Sequence, residues 1–280
     1  MKVSIITSHY NQNRYVAECI SSVSSCEHDV EHVIIDAMSN DGSQEVINRM
    51  RHEKMVTVFE KDSGQAEGLN KGFNLASGEI LGFMNGDDYY LPGGIDKLVG
   101  LMVKNDFDFV YGGQINLDCS GGFASVSVPD GSEADQIGNF STIFEPACLW
   151  RREVWQEVGP FNPEKHYTFG WDFISKVVRS GKFKVGHLGD VVTVNRLHPE
   201  RKTSNHNETR ENEIREHIAH FGDDAHRDLL KIVADNRNKI SSFGRIRPSV
   251  LRKRSYPFVF PLLSRRFTCD DVLKMARLLS

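Results

Sequence analysis

Short apolar runs rich in β-branched residues alternate with helix-like segments, and the polar residues with chemical potential fall just after the runs. Val3 to Thr7 reads as a buried strand, followed by the loop Ser8-His9-Tyr10-Asn11. Tyr15 to Ser24 has Val16, Ile20 and Val23 at a helical spacing. His32-Val33-Ile34-Ile35-Asp36 is a second strand that ends on an acid. Ser39 to Ser43 is turn chemistry and supplies N-caps for a helix through Met50. Val56 to Phe59 is a third strand, and a helix is expected from about Ala66 to Ala76. Ile80 to Met84 is a fourth strand, ending in Asn85-Gly86-Asp87-Asp88. This alternation predicts an α/β fold with a doubly wound, mostly parallel sheet flanked by helices and ligands at the carboxyl ends of the strands.

The second half is less regular. Phe107 to Asn116 continues the sheet, and Gly121 to Gly138 reads as a polar, flexible excursion. Helices are expected over Arg152 to Val158 and from about Asp172 to Arg179, with a returning strand over Lys184 to Val194. From Arg196 the chain turns polar, then helical to about Asn238. The expected organisation is one domain over 1–205, in two halves at 1–115 and 140–205, and a helical, basic C-terminal extension over 206–280.

Composition narrows the class. A length of 280 residues allows a full hydrophobic core. A net charge of −4 argues against nucleic-acid binding by bulk electrostatics. Cys19, Cys26, Cys119, Cys148 and Cys269 form no C-x-x-C pair, which suits a reducing compartment. No signal peptide or membrane span is expected, so the expected location is the cytoplasm. The window 237–269 holds nine Lys or Arg and no acid, interleaved with Phe243, Tyr256, Phe258, Phe260 and Phe267. It is either a solvated helical face or a peripheral contact with an anionic bilayer, at the inner face of the plasma membrane.

Several constellations can carry chemistry. Asp87 and Asp88 are adjacent like charges after a buried strand, a costly pairing that a hard divalent cation relieves; alone, the dipeptide is more readily a solvated turn. Asp36 is either a hydrogen-bond acceptor for a ribose or base, or a cap. The turn Lys61-Asp62-Ser63-Gly64-Gln65 leads into a helix bearing Lys71, an arrangement suited to phosphate. It matches neither a P-loop nor a dinucleotide fingerprint.

Four blocks in order carry a resemblance. They are Val3 to Asn11, Val33 to Ser43, Asp62 to Phe73 with Ala76 to Ile80, and Met84 to Asp88. Together they resemble family 2 glycosyltransferases of the GT-A fold. The match is close over about 3–115, looser over 140–205, and absent after about 210. The resemblance implies an inverting, metal-dependent transfer of a sugar from a nucleotide-diphosphate donor, with UDP expected, to a glycan or lipid-linked acceptor in surface polysaccharide synthesis. Thr7, Ser8, Tyr10, Asp36, Ser63, Gly64, Gln65, Asn70, Lys71 and Asp87 would contact the donor, and Asp88 would ligate Mn2+ or Mg2+. Where many relatives carry a second acid beside the first, this chain has Ala37.

The catalytic base is expected at Asp172, ahead of Arg179-Ser180-Gly181, although the family register falls nearer Gly170. Glu145 and Trp171 would lie on the acceptor side. Asn195 to Ser204 resembles the family's closing segment, with His198 as a further metal ligand and Lys202 as a diphosphate contact. A nucleotidyltransferase would show a Gly-rich basic first loop, which Ser8 to Asn11 is not. A non-catalytic glycan- or nucleotide-binding module is opposed by the joint presence of Asp36, Asp87, Asp88 and Asp172.

Overall fold

The computed structural model describes residues 1–118, 120–202 and 207–235. The basic window 237–269 lies outside the described residues. The chain divides into two compact units. The first comprises 1–137 and 142–204, and the second comprises 138–141 and 205–280.

The first unit is built on one sheet. Strands β1 (Val3–His9), β2 (Val30–Asp36), β3 (Met55–Phe59) and β4 (Ile80–Phe83) pair in parallel in the order β3-β2-β1-β4. Helices α1 (Asn13–Ser24), α2 (Ser43–Arg49) and α3 (Gln65–Leu75) make the crossovers. Every residue of β2 is buried, as expected of a parallel strand covered on both faces. Helix α1 turns Val16, Cys19, Ile20 and Val23 to the core. Gly72 permits the close approach of α3, because a Cβ there would stand 2.4 Å from Cγ2 of Ile6.

Beyond β4 the sheet becomes mixed, as antiparallel pairs enter with β8. The elements are β5 (Tyr89–Tyr90), α4 (Gly94–Asn105), β6 (Phe109–Asp118), β7 (Phe123–Ser127), α5 (Glu133–Gln136) and β8 (Cys148–Arg151). They are followed by α6 (Arg152–Val158), α7 (Phe169–Arg179) and β9 (Val185–Leu197). The order continues β4-β8-β6-β9-β5, with β7 beside β6. β8 is antiparallel to both β4 and β6, while β6 and β9 are parallel.

Two local expectations change. The segment 121–138 is not structureless: it forms β7, paired with β6, and the short α5. Helix α7 starts at Phe169, three residues before the expected start, so Asp172 sits in its first turn. α4 buries Ile95, Leu98, Val99 and Met102, a helical spacing that links it to the core formed with Val3, Ile5, Ile80 and Leu149.

In the second unit, α8 (Glu208–Phe221) begins at the Asn207 cap, whose side chain accepts the Arg210 N–H. Helix α9 (Asp224–Asp235) follows. Among the described residues, no helix is long and apolar enough to cross a membrane.

Candidate active site

The carboxyl ends of β1, β2 and β4 converge, and each delivers a polar residue. His9 and Asp36 are register partners at the ends of β1 and β2. Asp36 Oδ1 accepts the Ser39 N–H at 2.8 Å and Gln44 Nε2 at 3.1 Å. Its Oδ2 is buried without a partner, as are both ring nitrogens of His9, whose Nε2 lies 4.0 Å from Asp36 Oδ2. Burial lowers the proton affinity of His9, opposed by Asp36, Asp41 and Asp87. Buried polar atoms left open at a strand end are donor and acceptor capacity that a ligand or water can complete.

After β4, Asn85 fastens the acidic turn. Its Nδ2 donates to Asp88 Oδ2 at 2.9 Å, its Oδ1 accepts from Gln65 Nε2 at 2.9 Å, and its carbonyl accepts the Asp88 N–H at 3.1 Å. Helix α3 is thereby tied to the acidic turn. Gly86 is dictated by space: a Cβ there would stand 2.4 Å from His9 Nδ1 and 2.7 Å from Gln12 Oε1.

The end of β9 then closes on this turn. The Arg196 N–H donates to Asp88 Oδ1 at 2.9 Å, and Arg196 Nη1 donates to the Asp87 carbonyl at 2.6 Å. The same guanidinium pairs with Glu18 and lies 4.4 Å from the Tyr89 ring centroid. His198 Nε2 lies 2.9 Å from Asp87 Oδ2, and its ring is 4.8 Å from that of Tyr15. Burial, and then the charge of Asp87, push the Asp88 carboxyl up to about 7. Asp87 and Asp88 offer oxygen ligands of the kind a hard divalent cation takes, and a cation there would relieve the like-charge cost of the pair.

The remaining expected residues divide. Gln65 joins the acidic turn, as above. Gly64, at φ +147°, lies against His166, and Ser8 and Asp62 approach Gly68 so closely that a Cβ there would meet both within 2.7 Å. Ser63 donates its N–H to Glu67 Oε2, and Tyr10 is 59% exposed at the end of β1. Lys202 Nζ lies 5.4 Å from the Tyr167 ring centroid.

Others face elsewhere. Thr7 is fully buried, with its hydroxyl 2.9 Å from His32 Nε2. Asn70 exchanges two hydrogen bonds with the backbone of Phe161. Lys71 pairs with Glu60 and Glu67 on the helix flank. Trp171 is only 3% exposed and donates its indole N–H to the Ile137 carbonyl. Trp171, which the resemblance placed on the acceptor side, thus packs inward from the first turn of α7. Asp172 is ion-paired to Lys165 at 2.7 Å. His9, Gln12 and Arg196 were not singled out by the sequence. All three lie within or beside motif segments, but their roles depend on contacts far along the chain.

Comparison with known proteins agrees with this architecture. The profile of Glycosyl transferase family 2 matches residues 4–145, and the chain belongs to that family. An uncharacterized glycosyltransferase of Nostoc sp. is 33% identical over 183 residues, 59% of this chain and 55% of the relative. The chain thus spans little more than half the length of that curated relative. The mannosyltransferase PcManGT of Pyrobaculum calidifontis, solved with GDP-Man and Mn2+, superposes with a TM-score of 0.66 at 15% identity. That superposition covers 99% of this chain and 84% of PcManGT. S. aureus TarS in complex with UDP-GlcNAc superposes with a TM-score of 0.62 at 18% identity, over 100% of this chain and 80% of TarS. At these identities the likeness establishes the GT-A fold.

Proposed function

We propose that this chain transfers a sugar from a nucleotide-diphosphate donor to a hydroxyl of a glycan or lipid-linked acceptor, with inversion, in surface polysaccharide synthesis. The observation that carries the reading is the closure of Arg196 and His198 onto the Asp87-Asp88 turn beside the open polar atoms of His9 and Asp36. In this reading 1–115 binds the donor and 140–205 receives the acceptor. Asp36 and His9 take the nucleoside, with Tyr10 at the rim. Ser8, Ser63, Gly64 and Gln65 line the diphosphate and sugar side, and Lys202 approaches from the segment after β9.

Asp88 and His198 are the groups that would hold Mn2+ or Mg2+, with Asp87 hydrogen-bonded between turn and imidazole. A cation bound there neutralises charge on the departing diphosphate and makes it a better leaving group. Arg196 holds the Asp88 carboxylate through its backbone N–H and the Asp87 main-chain carbonyl through its guanidinium. UDP is the donor nucleotide we favour, supported by the bound UDP-GlcNAc of TarS; the GDP-Man of PcManGT makes GDP the comparison.

Calorimetry with UDP and GDP, with and without MnCl2, tests the reading. Cation-enhanced binding of one nucleotide is expected. Absence of binding to either, with or without the cation, would overturn it.

A further inference from the structure

The site needs a carboxylate that is not already engaged. Asp172 is committed to Lys165, and Asp87 and Asp88 are committed to the acidic turn. Glu145 is different. It opens the 3-10 turn Glu145–Ala147, which packs against β4, β6, β9 and α7 and leads directly into β8. Because β8 is antiparallel to β4, Ile80 faces Arg151 and Leu81 faces Trp150. The turn that carries Glu145 thus lies beside β4, the strand that runs into the acidic turn.

The Glu145 side chain lies over Gly170, in the first turn of α7. A Cβ at 170 would stand 2.7 Å from both Cγ and Oε1 of Glu145. The carboxylate therefore occupies volume that any other residue at 170 would fill. Cγ is close to the backbone and cannot swing clear as a side-chain tip can. No cation pairs with Glu145 among the described residues. Burial raises its carboxyl above the ordinary range, opposed by its own backbone N–H. An unpaired carboxylate with raised proton affinity is suited to accepting a proton.

We infer that Glu145, rather than Asp172, accepts the proton of the incoming hydroxyl, and that Gly170 is the residue that admits it. The inference rests on the transferase reading above. The acceptor oxygen contributes the electron pair of the new bond to the anomeric carbon. The bond from that carbon to the diphosphate oxygen breaks, and its electrons leave with the nucleoside diphosphate. The hydroxyl proton passes to a carboxylate oxygen of Glu145, and the resulting carboxylic acid returns it to solvent after product release. Asp172, held by Lys165, is then a positioning residue for the start of α7.

The test uses the full chain with UDP-N-acetylglucosamine and GDP-mannose in MnCl2 and water as acceptor. Nucleotide release gives kcat, and calorimetry gives UDP and GDP affinity. Glu145→Gln should lower kcat by at least about 10²-fold with nucleotide affinity unchanged, and Asp172→Asn should lower it far less. Glu145→Ala removes Cγ and makes room at 170, so Glu145→Ala/Gly170→Asp should recover part of the kcat lost in Glu145→Ala. A purely structural Glu145 would instead lower the melting temperature or the affinity, and the second acid would rescue nothing. Wild-type kcat in Glu145→Gln, or a larger kcat loss in Asp172→Asn, would overturn the assignment. If the wild type neither binds nor releases nucleotide, the transferase reading falls, and this inference falls with it.

Discussion

His198 Nε2 lies 2.9 Å from Asp87 Oδ2, although 111 positions separate them in the chain. β9 makes this possible by returning antiparallel to β5, which pairs Tyr89 with Val194 and leaves Arg196 and His198 opposite the acidic turn. Replacing His198 with Ala should weaken cation-dependent UDP binding at least about tenfold while leaving cation-free binding unchanged. Calorimetry at fixed UDP and varied MnCl2 would measure this. Equal cation dependence in both proteins would remove His198 from the cation site.

The acidic turn should make stability depend on pH. The folded state raises the Asp88 carboxyl to about 7, from about 3.9 for an ordinary Asp. Its contribution is therefore fully present below the unfolded value and is lost as pH rises through about 7. Without a cation, the melting temperature of Asp88→Asn should gain on the wild type between pH 5 and pH 8. MnCl2 should stabilise the wild type and not the variant, reversing that trend. Parallel pH profiles would show that Asp88 does not titrate in this window.

Gly86 is a steric requirement of the site. A methyl group there would press on His9 Nδ1 at 2.4 Å and on Gln12 Oε1 at 2.7 Å. Gly86→Ala should cost about 1–3 kcal/mol of stability and reduce nucleotide affinity, because the displaced His9 borders Asp36. Denaturant unfolding and calorimetry report the two effects. An unchanged midpoint would mean that both side chains move aside freely.

Trp171→Phe separates packing from binding. The variant loses the indole N–H that serves the buried Ile137 carbonyl, so destabilisation of about 1–3 kcal/mol is expected. Nucleotide affinity and kcat per folded molecule should persist. A specific loss of turnover in a protein of normal stability would return Trp171 to the acceptor side.

The basic window 237–269 makes a separate prediction, from composition. Each Lys or Arg near an anionic bilayer contributes about 1 kcal/mol, and the aromatic rings add interfacial burial. Truncation after Asn236 should release the protein from phosphatidylserine-containing vesicles at low salt while donor hydrolysis continues. Equal co-sedimentation of the full and truncated chains would count against the membrane reading.

The sequence by itself determined the alternation of strands and helices through β4, because apolar periodicity is local and the inner strands β1, β2 and β4 are buried on both faces. It also marked Asp36, Asp87 and Asp88 as strand-end acids, since the end of an apolar run is visible without knowing its neighbours. Tertiary structure decided the rest. The meeting of His198 with Asp87 depends on the return of β9. The seat of Glu145 depends on the register of β8 against β4 and on the missing side chain at 170. The burial of Trp171 depends on the packing of α7, where its indole N–H meets the Ile137 carbonyl 34 residues away. Distances across 25 to 111 residues of chain are set by strand pairing and packing, and no local pattern in the sequence encodes them.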